Sequence, residues 1–212
     1  MKLKSIDYKD WMINQKRVPD KDSDEYKAFY DFHKELCMNG CMMDGTYINP
    51  FLYWHLNAWH TEVDIIDEYG RINQKYANPL LRDNEWLVTN EIDRAHKEKK
   101  GLVILGIRRF AKSVIEASYI AQGATFDENS QNIIAGLNAP DIKLITDKID
   151  KGLNFLPKAW RWQRVEDNWK NQVTLGIKTR GGERIPFSQI LVRNLDDGNN
   201  EEAIAGTKPR RL

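Results

Sequence analysis

The stretch from Gly101 to Ala121 constrains this chain more than any other. An apolar run, Leu102-Val-Ile-Leu105, leads into a basic turn, Gly106-Ile-Arg-Arg-Phe-Ala111. Lys112-Ser113 then open a segment with Val114, Ile115, Ser118, Ile120 and Ala121 in roughly helical register. A continuous apolar run is the pattern of a strand buried on both faces. The expectation is therefore strand, tight turn, helix, which is the context a phosphate-binding loop requires. In the pattern G-x-x-x-x-G-K-[ST], backbone N–H groups cradle phosphates, the lysine reaches the β/γ oxygens and the hydroxyl holds Mg²⁺. Gly106, Lys112 and Ser113 fit; Ala111 stands where glycine is expected.

The cost of that alanine depends on its backbone. With negative φ the methyl is tolerated; with positive φ it costs about 1 kcal/mol or more, which would weaken nucleotide binding without abolishing it. Lys112 at a helix start opposes the macrodipole by a few tenths to about 1 kcal/mol, so its placement points to an anion. Arg108 and Arg109 in the same turn repel each other unless a phosphate or an acidic partner compensates. A basic turn with no ligand remains the alternative, while dinucleotide binding is disfavoured because the G-x-G-x-x-G spacing is absent.

On either side of this centre the periodicities differ. Asn132-Ile-Ile-Ala135 predicts a second strand, and Pro140 to about Gly152 a second helix with Ile142, Leu144, Ile145 and Ile149. Strand, helix, strand, helix argues for a parallel sheet with right-handed crossovers. Gln172–Lys178 then alternates, Thr179–Glu183 reads as a hairpin turn and Arg184–Arg193 returns, giving an antiparallel ribbon grafted onto the α/β core. Asp196–Glu202 reads as loop. Upstream, a helix is expected from Asn84 or Glu85 to Lys100, with Trp86, Leu87, Ile92 and Ala95 inward, and Gly101 stopping it.

The first 60 residues or so read as a helical, aromatic segment. Ser23 can cap a helix whose Phe29, Phe32, Leu36 and Cys37 face the core, and Asp44-Gly45 and Asn49-Pro50 mark turns. Phe51-Leu-Tyr-Trp-His-Leu-Asn57 is either core packing or a platform on which a purine stacks. His33, Cys37 and Cys41 would line one helix face, but a single ion could hardly grip all three, and C-x₃-C is not a usual zinc spacing.

Composition narrows the classes. The 212 residues suffice for one domain or one and a fraction. Lys+Arg 32 against Asp+Glu 31 gives a net charge of +1, so no global field draws the chain to nucleic acid or membrane. Lys158, Arg161, Arg164 and Lys170, interleaved with Trp160, Trp162 and Trp169, form the one basic-aromatic patch, which is either a phosphate contact or a solvated face over a tryptophan-rich core. Two cysteines, no apolar run of about 20 residues and no signal-like N-terminus suggest a reducing, cytoplasmic setting.

Arg108-Arg-Phe-Ala-Lys-Ser113 resembles the deviant Walker A motif of the large terminase subunit of tailed bacteriophages, the ATPase that packages DNA into proheads. In that family an arginine four residues before the lysine is assigned to γ-phosphate sensing or arginine-finger chemistry, and Arg108 matches it. Glu85-Trp86 and its helix, Asn49–Asn57 as an adenine-contacting segment, Ile134–Asn138, the hairpin ribbon and Ala205-Gly-Thr-Lys-Pro209 are similar in order and spacing. The aromatic-rich character resembles terminases of crAss-like phages.

The resemblance spans roughly residues 48 to 212 and implies an α/β P-loop NTPase fold of the ASCE/RecA-like kind. That means a parallel sheet with flanking helices, an inserted antiparallel β-ribbon and a helical N-terminal segment, divided as residues 1–60 and 61–212. It implies ATP and Mg²⁺ as ligands, with Gly106, Ile107, Arg108, Arg109, Phe110, Ala111, Lys112 and Ser113 around the phosphates. Tyr53 and Trp54 would lie at the base, Arg108 and Lys112 would be catalytic, and Ser113 would sit on the metal. Double-stranded DNA, a portal protein and a small terminase subunit are the implied partners. The setting would be a homo-oligomeric ring in the host cytoplasm, transiently at the portal vertex.

Two departures from the family stand out. Ala111 replaces glycine, and no apolar strand ending in Asp-Glu follows the loop. Leu191–Asp197 is interrupted by Arg193 and Asn194, and Val63-Asp-Ile-Ile-Asp-Glu68 precedes the loop. No catalytic glutamate or nuclease carboxylate cluster is therefore named. The expectation is an ATPase domain lacking its Walker B and nuclease parts, binding ATP·Mg weakly and hydrolysing it negligibly alone. A helicase-like ATPase or other P-loop protein, and a non-enzymatic virion or scaffold protein, remain the alternatives.

Overall fold

The computed structural model describes residues 18–43, 45–105 and 111–195. The chain forms two compact units, Met1–Leu105 and Gly106–Leu212.

In the first unit, helix α1 (Asp24–Asn39) begins where Ser23 accepts a hydrogen bond from the Tyr26 N–H, with Asp24 and Glu25 in the first turn. It buries Tyr30, His33 and Cys37, a stripe at spacings of three and four. Phe32, expected inward, lies off that stripe and is exposed. A histidine can take the inner position because its Nδ1 lies 2.7 Å from the Tyr53 hydroxyl, which supplies a buried partner.

Strands β1 (Cys41–Met43) and β2 (Thr46–Ile48) form a small antiparallel hairpin absent from the sequence reading. Helix α2 (Pro50–Asn57) follows, started by Pro50 and capped by Asn49 Oδ1, which accepts from the Leu52 N–H at 2.7 Å. Every residue from Phe51 to Asn57 is buried, so the aromatic segment is core.

Strands β3 (Thr61–Ile66) and β4 (Ile72–Ala77) pair antiparallel as a second ribbon. Helix α3 (Asp83–Lys97) turns Glu85, Val88 and Thr89 inward. Leu87, expected inward, is exposed, because the stripe is rotated toward Asn90, whose Oδ1 accepts from Asn49 at 3.1 Å. Leu102–Leu105 does not form the expected strand. Among the described residues nothing pairs with it, and Val103 and Leu105 are 83% and 91% exposed. Apolar content alone cannot make a strand; its backbone needs a partner to bond.

The second unit contains α4 (Lys112–Phe126), β5 (Gln131–Gly136), α5 (Ala139–Phe155), a 3-10 turn at Lys158–Trp160, β6 (Gln163–Asn168), β7 (Gln172–Lys178) and β8 (Arg184–Asn194). The sheet order is β5-β8-β7-β6, with β5 and β8 parallel and the other pairs antiparallel. The expectation of α/β structure holds at this coarser level. The sheet is mixed, however, and the ribbon is no appendage, since β8 pairs directly with β5, Ile133 opposite Leu191. Ile190, Leu191 and Val192 are all buried, which identifies β8 as an inner strand covered on both faces.

Helices α4 and α5 pack on each other and against β5 and β8. The Ser188 hydroxyl donates to the Ala124 carbonyl, tying sheet to helix. At Gly136 a Cβ would come within 2.8 Å of the Ile142 side chain, so any larger residue would force that side chain to shift where α5 closes over the end of β5. Ile115, Ile120, Ile149, Leu153, Val173, Leu175 and Ile190 fill the layer between. Burial of each such side chain contributes about 1.5–3 kcal/mol.

Candidate functional site

Helix α4 starts at Lys112, where the motif requires a helix to start, and its N-terminus is built unlike the others. Helices α1, α2 and α5 begin with Ser23, Asn49 and Asn138 in extended backbone, each accepting a hydrogen bond from an N–H of its first turn. In α3, Glu85 accepts from the Arg82 N–H at 3.0 Å. Helix α4 begins instead with Ala111 at φ 61 and ψ 15, with no side-chain cap and no acid in its first turn.

The Ala111 carbonyl accepts from the Val114 and Ile115 N–H groups at 3.0 and 3.1 Å. A helix leaves its first N–H groups without intrahelical acceptors, and their partial positive charge is a ready anion site. Lys112 and Ser113, both half-buried, follow at once.

The question posed by the alanine has an answer. Position 111 is left-handed, the conformation in which a methyl costs roughly 1–2 kcal/mol and glycine nothing of the kind. Sequence alone could not reveal this strain; the only signal was the mismatch with glycine itself. Gly106, Ile107, Arg108, Arg109 and Phe110 lie outside the described residues, as do Asp196–Glu202 and Ala203–Leu212.

Tyr53 and Trp54, expected near the base, are buried in α2. Tyr53 is held to His33, and burial pushes its phenol well above the usual range. Neither ring presents a face to solvent, so they form part of the core and no open platform. His55, beside them, is fully buried, and desolvation lowers it to about 3. Burial also raises the Cys37 thiol, which leaves it an inert core group. Among the described residues no cluster of His, Cys, Asp or Glu could hold a metal ion.

The basic-aromatic stretch serves packing. Trp160 is buried edge-on to Phe126 at 5.5 Å, and Trp162 stacks on Phe187 at 4.1 Å while its Nε1–H donates to the Thr125 carbonyl. Arg161 donates from Nε and Nη2 to the Leu156 carbonyl at the end of α5. Arg164 pairs with Asp150 at 2.5 Å and Asp167 at 3.5 Å. Trp160, Arg161, Trp162 and Arg164 line a cavity of about 230 Å³. It adjoins Thr125, about 20 Å along α4 from Lys112 at 1.5 Å per residue. Lys158 and Lys170 are exposed.

No family model matches the chain, and no curated protein matches it. No helix among the described residues is long and apolar enough to cross a membrane.

Proposed function

We propose that the chain is the ATP-binding part of a terminase-like DNA-packaging motor, with α4, β5, α5 and β8 belonging to its P-loop ATPase domain. The observation that carries this reading is the start of α4, where a left-handed alanine with no capping side chain takes the N-cap position and Lys112 and Ser113 follow in the order the phosphate-loop motif demands. Strain at a functional turn is tolerated where the surroundings impose it, and an anion bound there offsets the misplaced cation.

In this reading the N–H groups of the first turn and Lys112 hold the β/γ-phosphates, and Ser113 orients Mg²⁺. Arg108, with Arg109 beside it, meets charge that develops on the γ-phosphate. Turnover calls for a water-polarising carboxylate and coupling to double-stranded DNA, a portal protein and a small subunit. Isothermal titration with ATP·Mg tests the reading. Weak saturable binding that Lys112→Ala removes is expected, and heat traces that are flat for both proteins would overturn it.

A further inference from the structure

The cavity of about 230 Å³ in the second unit is walled by the ends of α4 and α5, the segment from Trp160 to Arg164 and strand β7. Three leucines and the indoles of Trp160 and Trp162 supply apolar surface, while Asn154, Arg161 and Arg164 supply polar groups. No acidic side chain lines it. An apolar cavity of about 150 Å³ holds one benzene ring, so a space of this size takes a ring with a short substituent.

The walls are fixed before any ligand arrives. Trp162 Nε1–H donates to the Thr125 carbonyl at 2.8 Å, and Phe187 covers one face of its indole at 4.1 Å. Trp160 is held edge-on by Phe126 at 5.5 Å. A preformed cavity spends little binding energy on ordering its own side chains.

The two cations differ. Arg164 is balanced, because Asp150 lies at 2.5 Å and Asp167 at 3.5 Å. Arg161 is not. Its Nε and Nη2 donate to the Leu156 carbonyl, which fixes the plane of the guanidinium. Nη1 is left without an acceptor, and the charge without a carboxylate, among the described residues.

Asn154 adds a second unused donor. Arginine can only donate, so the amide atom 3.1 Å from Arg164 Nη2 is Oδ1. Nδ2 is then the end left over, with no acceptor among the described residues. Capping of the α5 end explains two of the Arg161 nitrogens and neither of these two donor groups.

We propose that this cavity binds a small aromatic monocarboxylate, a single ring carrying one acid group. The ring lies against the indoles and leucines, and the carboxylate accepts from Arg161 Nη1 and Asn154 Nδ2. One unbalanced cation matches one negative charge, and a hydrogen bond between ionised partners is roughly twice as strong as a neutral one. The site is independent of the phosphate-loop reading. It adjoins Thr125 near the far end of α4 from Lys112 and shares no residue with the start of that helix.

Saturation-transfer NMR and isothermal titration of the full chain with phenylacetate test the proposal. Saturable binding is expected with a dissociation constant of about 0.1–1 mM, in keeping with a ligand of about ten heavy atoms. Phenylacetamide keeps the shape and loses the charge, so it should bind roughly tenfold or more weakly. Acetate lacks the ring and should not compete. Arg161→Gln removes the charge while keeping a donor for the Leu156 carbonyl. It should weaken phenylacetate binding roughly tenfold or more, with a circular dichroism spectrum and melting temperature close to those of the parent. Asn154→Asp, at an exposed position, sets a like charge beside the carboxylate and should weaken binding by a similar factor. Lys112→Ala should bind phenylacetate like the parent, and ATP·Mg should not displace it.

A parent with no saturable binding up to about 10 mM overturns the proposal. So does phenylacetamide that binds as tightly as phenylacetate, or a pair of variants that both bind like the parent. Displacement by inorganic phosphate at matched concentration overturns it too, because Arg161 is then a contact for any anion. Loss of phenylacetate binding on Lys112→Ala alone does the same, since the ligand then sits at the start of α4.

Discussion

Among the described residues, the first unit buries His33, His55 and Glu85. Every buried polar side chain described in the second unit is neutral: Ser118, Gln122, Thr125, Ser130, Asn132, Thr146, Thr174 and Ser188. The reason lies in the architecture around them. Separate two-stranded ribbons give the first unit little sheet to pack on, and bulky amphipathic rings fill its interior. Helices on a four-stranded sheet give the second an aliphatic layer in which small hydroxyls and amides bond to backbone, as Ser130 does to the Gly123 carbonyl and Thr125 to that of Ala121. Stability of the first unit is therefore tied to the protonation of buried histidines, whereas the shifted group among the described residues of the second is Glu116, whose carboxyl burial raises, so that acid does not penalise it. The candidate phosphate site stands in the second.

Acid should separate the two most strongly. His55 is held neutral with its folded value at about 3, below the ordinary 6.5, and burial lowers His60 in the same direction. The unfolded chain takes up the proton first, so stability contributed by neutral His55 is intact above about pH 6.5. It is lost as pH falls from there toward 3, by about 2 kcal/mol at pH 5 and over 3 at pH 4. Hydrogen exchange at pH 7 and pH 5, corrected for intrinsic rates, should show protection in α2 dropping roughly thirtyfold while β8 amides hold theirs. His55→Gln should flatten the response. Equal loss in both units would erase the contrast.

Replacing Lys112 is expected to have the next largest effect, and only on ligand binding. Loss of a charge-assisted contact to phosphate should cost about 2 kcal/mol, or roughly thirtyfold in ATP·Mg affinity. Thermal stability should change by less than about 1 kcal/mol, because the cation opposes the helix dipole while favouring the ionised Glu116 carboxylate. A fall in stability comparable to the fall in affinity would mean that Lys112 is a packing residue and the α4 end no ligand site.

Local signals in the sequence proved readable where they were self-contained. Lys112 opens a helix, Pro140 announces α5, and the alternation of Gln172–Lys178 with its Gly-rich turn announces the β7–β8 ribbon. What the chain could not disclose was partnership. The Ile190-Leu-Val192 triple looks like a returning ribbon leg, and only the long-range pairing with β5 makes it an inner strand. Leu102–Leu105 carries the composition of a buried strand and, among the described residues, has no strand to pair with. Two ribbons lie outside the sequence expectation although each has a signal: Asp44-Gly45 between Cys41–Met43 and Thr46–Ile48, and the outward Glu62 and Asp64 alternating with Val63 and Ile65. Strand β6 buries only Val165, too little to register as a pattern. At the site, the motif positioned Lys112 and Ser113, whereas the φ of Ala111 is a property of the folded turn.

The two helix starts of the second unit offer the finest comparison. Asn138 sits in extended backbone and accepts from the Asp141 N–H at 2.9 Å, so Asn138→Ala should lower stability by about 1 kcal/mol and leave nucleotide affinity alone. Ala111→Gly should act in the opposite direction and more weakly. The left-handed penalty of roughly 1 kcal/mol or more disappears, while the added freedom of glycine in the unfolded chain takes back about half to all of it. A gain of a few tenths of a kcal/mol in thermal denaturation is the expected result, with ATP·Mg affinity equal or tighter, because the turn then reaches the same geometry without strain. A variant that is clearly less stable than the parent would mean that residue 111 adopts negative φ in solution, and the open, strained start of α4 would lose its distinction from the capped start of α5.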